Sequence, residues 1–294
     1  SIVVGGRRGL VDAALAGSCV AYVTDAQPAA RDGLALASAP RVIPPRVAGL
    51  GSALTLPDLP AVGTGGYSVQ LWVNLDAALP ACSVLTLHGA GAVTVYQHEN
   101  FGGASQALGV GKHDVSSLTI GNDQVSSIKV PLGLRAELWQ HGGFKGDSWK
   151  YVSDAPSVRD ANDQASSIIV ESLPVIEILA TKIGDSFTLS LGGLVSNVYG
   201  GLDLGVSLTP RRWTHVSITH SADGVLCVYA DGRLVRRLDV APLPARTLAP
   251  VVGPFVGSIA ELRLWSRALT RDEIEGNWQQ REGAGAGLVG RWPF

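Results

Sequence analysis

Tyr96-Gln97-His98-Glu99-Asn100-Phe101-Gly102-Gly103 is followed further along the chain by Asn122-Asp123-Gln124-Val125-Ser126-Ser127. The same order returns as Trp139-Gln140-His141-Gly142-Gly143-Phe144-Lys145-Gly146, and then as Asn162-Asp163-Gln164-Ala165-Ser166-Ser167. Each copy is an aromatic, four residues, Phe, any residue and Gly, with Asn-Asp-x-x-Ser-Ser beyond it. The starting aromatics, at 96 and 139, are 43 positions apart. A repeat at that period is one supersecondary unit used twice.

The segments around the aromatics read as strands. Val93-Thr94-Val95-Tyr96, Ala136-Glu137-Leu138-Trp139, Ser127-Ile128-Lys129-Val130 and Ser167-Ile168-Ile169-Val170 alternate or run apolar and are rich in β-branched and aromatic residues. Gly103 and Gly146 keep a fixed offset from the aromatic, as backbone positions needing positive φ or close approach do. Two such units of about 40 residues predict a small Greek-key sandwich.

The Asn-Asp-x-x-Ser-Ser loops carry the chemistry. They offer carboxylate, amide, hydroxyl and carbonyl oxygens within six residues, and calcium takes six to eight oxygens at flexible distances. One Asp per loop predicts moderate or weak affinity, suited to a calcium-rich compartment. Turn chemistry is the competing account, because Asn and Asp make Asx-turns and Ser caps backbone amides. Two copies, each at a similar distance after its own aromatic strand, favour calcium. His98 and His141 also repeat in register. Imidazole suits zinc or copper, but no Cys or second His lies at ligand spacing, so both read as packing residues.

On these residues the segment resembles a βγ-crystallin domain of the microbial type. That family carries aromatic-x4-aromatic-x-Gly in each Greek key, and its calcium-binding members add Asn/Asp-Asn/Asp-x-x-Ser/Thr-Ser. The resemblance implies two calcium ions between the paired loops. It implies ligands from Asp123 and Ser126 in one loop and from Asp163 and Ser166 in the other. Carbonyls are implied from Gln124 and Gln164, and a contribution from Gln97 and Gln140, where many relatives carry Glu. Asn122 and Asn162 are expected to brace the loops.

The chain has 294 residues, 46% hydrophobic and 16% charged, with net charge −2 and 36 glycines. That is enough for one large or two ordinary domains, and strand-like runs along the whole length predict an all-β protein. Residues 91–172 hold four of the five lysines but only two of the arginines, and six basic against nine acidic residues. Such a step fits a module placed inside a different host.

The flanks should then form that host. Tyr67-Ser68-Val69-Gln70-Leu71-Trp72-Val73 and Ser186-Phe187-Thr188-Leu189-Ser190-Leu191 alternate as strands. Arg212-Trp213-Thr214-His215-Val216-Ser217-Ile218-Thr219 follows. Asp231-Gly232 between two strand-like runs predicts a type I′ hairpin. Gly257-Ser258-Ile259-Ala260-Glu261-Leu262-Arg263-Leu264-Trp265 is another strand, and Thr270 with Glu273 makes a capping box for a short helix. This order resembles the laminin-G-like, or concanavalin-A-like, jelly roll, most closely over its C-terminal part. The expected architecture is a two-Greek-key βγ-crystallin sandwich (91–172) inserted into a laminin-G-like antiparallel jelly-roll sandwich (1–90 and 173–294), in the loop after Leu85-Thr86-Leu87-His88. Trp213, Trp265 and Trp278 are expected in core positions rather than on a sugar platform.

Enzyme classes find little support. A glycoside hydrolase needs two carboxylates flanking the scissile bond, and no paired-acid run lies on a predicted strand. Glu261 stands alone with Arg263 as its same-face neighbour. No Gly-x-Ser-x-Gly, Walker A loop or dinucleotide fingerprint is present. Dispersed basic residues in a slightly acidic chain argue against nucleic acid, and no 18-residue apolar run spans a membrane. The reading is therefore a non-enzymatic calcium-binding module, with a glycan or protein ligand implied for the jelly roll by resemblance. The alternatives are a hydrolase-like jelly roll with a calcium-binding accessory domain, and a purely structural coat or spacer module. Cys19, Cys82 and Cys227 allow one disulfide at most. Residues 1–30 lack signal-peptide features, and the chain starts with Ser and has no Met. It is read as part of a longer extracellular or cell-surface protein.

Overall fold

A computed structural model describes residues 9–12, 20–23, 53–62, 66–77, 80–194, 201–244, 246–280 and 285–293. In chain order, β1 (Gly9–Asp12) and β2 (Val20–Val23) pair as an antiparallel hairpin. Next come β3 (Leu54–Thr55), β4 (Leu59–Val62), β5 (Tyr67–Leu75) and β6 (Ala81–Gly89). The repeat forms β7 (Ala92–His98), β8 (Gly102–Gly109), β9 (Gly111–His113), β10 (Ser127–Lys129), β11 (Leu134–His141), β12 (Lys145–Tyr151) and β13 (Ser167–Ser172). Then follow β14 (Pro174–Ile183), β15 (Ser186–Gly192), β16 (Leu202–Leu208), β17 (Thr214–His220) and β18 (Val225–Ala230). The chain continues through β19 (Arg233–Asp239), β20 (Arg246–Val252), β21 (Gly257–Trp265), helix α1 (Arg271–Asn277) and β22 (Leu288–Trp292).

The host is a sandwich of two antiparallel sheets. One runs β16-β15-β14-β6-β20-β3, with β4 also on β20; the other runs β19-β18-β17-β5-β21-β22. Period-2 patterns aim Leu85, Leu87, Ile176, Ile178, Phe187 and Leu189 of one sheet at Val69, Leu71, Val216 and Ile218 of the other, in one shared core. β5 and β17 are buried on both faces. Their outer face is polar and lies under α1: Gln70 Nε2 donates to Asn277 Oδ1 at 2.9 Å, and Trp278 packs on Trp72 and His215. The Thr270–Glu273 capping box starts that helix, and the Arg267 guanidinium holds the Glu273 carboxyl down at about 2. Asp231 and Gly232 both have positive φ (48° and 77°), as a type I′ turn requires.

The repeat is a second, smaller sandwich with its own core, built from Val93, Val95, Ile128, Leu134, Leu138, Ile168 and others. Its sheets are β10-β7-β8 and β12-β11-β13-β9. Each Greek key lends a segment to the other sheet: β9 pairs with β13, and Ile128 bridges Ala155.

This unit occupies the connection between β6 and β14, which are antiparallel neighbours in the host. Gly89 N donates to Leu173 O at 3.1 Å and Leu173 N to Gly133 O at 2.8 Å, so chain entry and exit are tied together. Arg246 of β20 donates to Leu132 O at 3.1 Å across the same neck. β7 leaves the neck at Ala92 and β11 leaves it at Leu134, and both run to the far end of the insert. At about 3.3 Å per residue, Gln97 and Gln140 lie roughly 20 Å from the host.

Gly133 is the tightest point of the neck. Its φ is +91°, and a Cβ there would meet Val175 Cγ2 at 2.5 Å and Gly89 Cα at 2.8 Å. Gly133→Ala is expected to destabilise by about 2 kcal/mol, the scale of a strained non-glycine residue, in urea denaturation. An unchanged midpoint would mean that insert and host separate freely there.

Candidate metal centre

The two aromatic hairpins fold back at their tips through residues with positive φ: Asn100 and Phe101 in the first, Gly143 and Phe144 in the second. Tyr96 and Phe101 meet edge to face, with centroids 5.7 Å apart. The second serine of each Ser-Ser pair fixes this fold. Buried Ser127 donates to His98 O at 2.6 Å and accepts from Phe101 N at 3.0 Å; buried Ser167 donates to His141 O at 2.8 Å and accepts from Phe144 N at 3.2 Å. A Cβ on Gly103 or Gly146 would strike the His98 or His141 ring, so these imidazoles lie packed on the glycine backbone. Among the described residues no group of three or more His, Cys, Asp or Glu side chains is placed to hold a metal.

The first serine of each pair, also buried, crosses between the keys. Ser126 Oγ donates to Gln97 O at 2.7 Å and meets Asp163 Oδ1 at 3.3 Å. Ser166 Oγ lies 2.8 Å from Gln140 O and 2.9 Å from Asp123 Oδ1, its single proton serving these two oxygens. The loops are laced together by Asp123 N to Ala165 O (3.3 Å) and Asp163 N to Val125 O (3.2 Å). Asp123 thus meets Ser166 of the other loop and Asp163 meets Ser126, a pairing between loops. The reason is topological: each loop lies along its own key's aromatic hairpin through its serines and reaches the other key through its Asp.

The remaining predicted residues surround these two clusters. Asn122 and Asn162 each donate to the second oxygen of the adjacent Asp, at 2.7 and 3.0 Å, and so hold the carboxylates. Asp123 and Asp163 have φ of 53° and 51°, which turns the loop. Gln97 Nε2 donates to Gln124 Oε1 at 2.9 Å, and Gln164 Nε2 to Asp160 O at 2.9 Å. Those amides are spent on neighbours, while the Gln97 and Gln140 carbonyls point at the serines. Asn162 Oδ1 is buried without a partner. A cleft of about 480 Å³ opens over the second cluster, between Asp123, Gln140, Asp163 and Ser166. Carboxylate, hydroxyl and carbonyl oxygens converge in each cluster with no nitrogen or sulfur, a donor set for a hard cation.

The chain is similar to development-specific protein S of Myxococcus xanthus, at 38% identity over 86 residues, which are 28% of this chain and 50% of that protein. Its homolog from the same organism is 36% identical over 86 residues. The chain spans about half the length of the curated relatives it matches. Among solved structures, a βγ-crystallin domain from Clostridium beijerinckii is 40% identical, with 27% of this chain covering 95% of that one, at a TM-score of 0.26. The N-terminal domain of protein S is 37% identical, with 29% covering 99%, at a TM-score of 0.28. The central unit belongs to the βγ-crystallin family. The concanavalin A-like lectin/glucanases superfamily matches residues 159–275. That match starts inside the βγ-crystallin unit, where β13 still pairs with β11 and β9; host strands within it begin with β14 at Pro174. The fold is thus all-β: a βγ-crystallin sandwich within a laminin-G-like jelly roll.

In the jelly roll, both Glu261 oxygens are engaged by Arg291 and one also by Arg263. Trp265 is core, as expected, whereas Trp213 and Trp278 are half-buried. Trp278 floors a cleft of about 660 Å³ between α1 and the Asp231–Gly232 turn, walled by Arg233, Arg271 and Glu275. Cys82 and Cys227 are free thiols, and burial pushes Cys82 up to about 11. Cys19 lies outside the described residues. No described helix is long and apolar enough to cross a membrane.

Proposed function

We propose that the protein is a non-enzymatic recognition module working outside the cell, whose βγ-crystallin unit is stabilised by two calcium ions. The domain limits are 1–90, 91–172 and 173–294. The observation that carries this reading is the crossed pairing of Ser126 with Asp163 and of Ser166 with Asp123. One calcium is held by Gln97 O, Ser126 and Asp163, the other by Gln140 O, Ser166 and Asp123. The Gln124 and Gln164 carbonyls add to these sets, and Asn122 and Asn162 orient the aspartates. When bound, the ion supplies charge that ties the two keys together. With one aspartate per site, affinity suits a calcium-rich compartment.

Two observations support a non-enzymatic role. Both Glu261 oxygens are engaged by arginines, whereas glycoside hydrolysis needs a carboxyl free to act as acid, base or nucleophile. The calcium sites lie at the tip of the insert, far from the host. In this reading the host's partner, a glycan or a protein, binds at the Trp278 cleft, where an aromatic floor with charged walls suits either.

Isothermal calorimetry of chelator-stripped protein tests the calcium sites. Two ions per chain are expected. Ser126→Ala and Ser166→Ala should each weaken one site by about tenfold, the scale of one lost ligand bond to a charged group. Adding Asp163→Ala to Ser126→Ala should affect the same site only, whereas adding Asp123→Ala should impair both. The reverse pattern would restore ligation within a single loop, and absence of binding heat would end the calcium reading.

A further inference from the structure

The 43-residue repeat extends beyond the motifs, and at one point its two copies solve the same problem differently. Asn100 and Gly143 occupy equivalent positions at the two hairpin tips, each three residues after the residue whose carbonyl meets a site serine. Asn100 N donates to a main-chain carbonyl, Pro156 O, at 2.7 Å. Gly143 N donates instead to a side chain, Asp114 Oδ1, at 2.9 Å. Asp114 Oδ1 also accepts from Val115 N at 2.8 Å, which fixes the carboxylate at the start of its own turn. These two amides hold the Asp114 carboxyl below its ordinary range. The residue equivalent to Asp114 is Ser157, whose Oγ donates to Glu99 Oε1 at 2.7 Å. The first tip therefore keeps a main-chain anchor whatever its side chains do. In the second tip the Gly143 amide depends on Asp114.

The dependence is sharpened by sequence. The second tip is Gly142-Gly143, where the first is Glu99-Asn100. Two glycines lose the most conformational freedom on ordering, so an anchor matters more there. Gly142 also lies tight on the Asp114 turn: a Cβ on it would meet Val115 Cγ2 at 2.9 Å and Asp114 Oδ1 at 3.4 Å. Two residues before Gly142 is Gln140, whose carbonyl belongs to the Ser166–Asp123 cluster.

We infer that Asp114 is a positioning residue for the second calcium site alone: it anchors the Gly142-Gly143 tip across the two Greek keys and so sets the Gln140 carbonyl. This rests on the calcium reading above. It makes the two sites unequal in what they require, although their oxygen sets match.

The test uses the full chain in two backgrounds, Ser126→Ala, in which the second site is the tighter one, and Ser166→Ala, in which the first is. Calcium is titrated calorimetrically, and exchange of the Gly143 amide is followed by NMR without calcium. Asp114→Ala is expected to weaken calcium about tenfold in the Ser126→Ala background and less than twofold in the Ser166→Ala background. Gly143 exchange should become faster. Asp114→Asn keeps an acceptor oxygen, so it should restore affinity to within threefold. Equal weakening in both backgrounds, or a loss that Asp114→Asn does not rescue, would show a field effect of charge and overturn the positioning role. Unchanged affinity with calcium still bound would overturn this inference alone. Failure of the unsubstituted protein to bind calcium would overturn the calcium reading and this inference with it.

Discussion

Calcium added to chelator-stripped protein is expected to raise the unfolding temperature of the βγ-crystallin unit by roughly 20–40 °C while the jelly roll melts where it did before. A ligand that binds only the folded state adds about 2.7 kcal/mol at a hundredfold excess over Kd. Two sites give about 5 kcal/mol, and a domain of this size shifts by roughly 4–8 °C per kcal/mol. Binding only the folded state follows from the crossed geometry: Asp163 reaches Ser126, and Asp123 reaches Ser166, only when both keys are docked. The unfolded chain has no such pair. The host escapes because the sites are five to six strand residues from the neck, on the order of 20 Å. It also survives melting of the insert, since the cost of closing the β6–β14 connection grows only as the logarithm of its length. Calorimetric scans with chelator and with excess calcium should show one moving and one fixed transition. Two transitions that move together would mean that the halves unfold as one unit.

What the sequence made legible was local. The aromatic-Phe-Gly hairpins, the Asp231–Gly232 turn and the Thr270 capping box are each written in a few adjacent residues, and each formed where expected. The candidate donor residues stood out for the same reason. Their partnership did not. Nothing in Asn-Asp-x-x-Ser-Ser says that its Asp serves the other copy's serine, because that depends on β9 joining the second key's sheet. Asp114 carried one signal, its place 43 residues before Ser157, but a lone Asp opposite a Ser does not announce a tip anchor. In the host, Glu261 and Arg263 were read as same-face neighbours on a regular strand. The strand is in fact bulged between Ala260 and Arg263, Glu261 takes a φ of 47°, and a second arginine arrives from β22.

That bulge leads to the largest effect expected in the host. Glu261→Ala should lower its stability by about 3–5 kcal/mol, the cost of leaving a buried charge without its partner. Arg263 is 2% exposed, beneath α1. Its guanidinium donates to Asn277 O at 3.3 Å and to Gln280 O, and so ties the end of the helix to the sheet. Arg263 Nε has no partner. Burial pushes this guanidinium below its ordinary value, and Glu261, 3.4 Å away, pushes it back up. Without Glu261 the helix carbonyls remain, but they carry only partial charge. Arg291 would also lose its two 3.3 Å contacts, at little cost because it is more exposed than Arg263. The strained φ does not soften the loss, since Ala is no more at ease there than Glu. At roughly 2–4 °C per kcal/mol for a unit of host size, the host transition should fall by on the order of 10 °C, with the calcium-dependent transition unmoved. Replacing both partners, Glu261→Leu with Arg263→Met, removes the buried charge together with its counter-ion and should recover much of the stability. If the double variant were as unstable as Glu261→Ala, the helix-end hydrogen bonds of Arg263, rather than compensation of its charge, would be what holds α1 to the jelly roll.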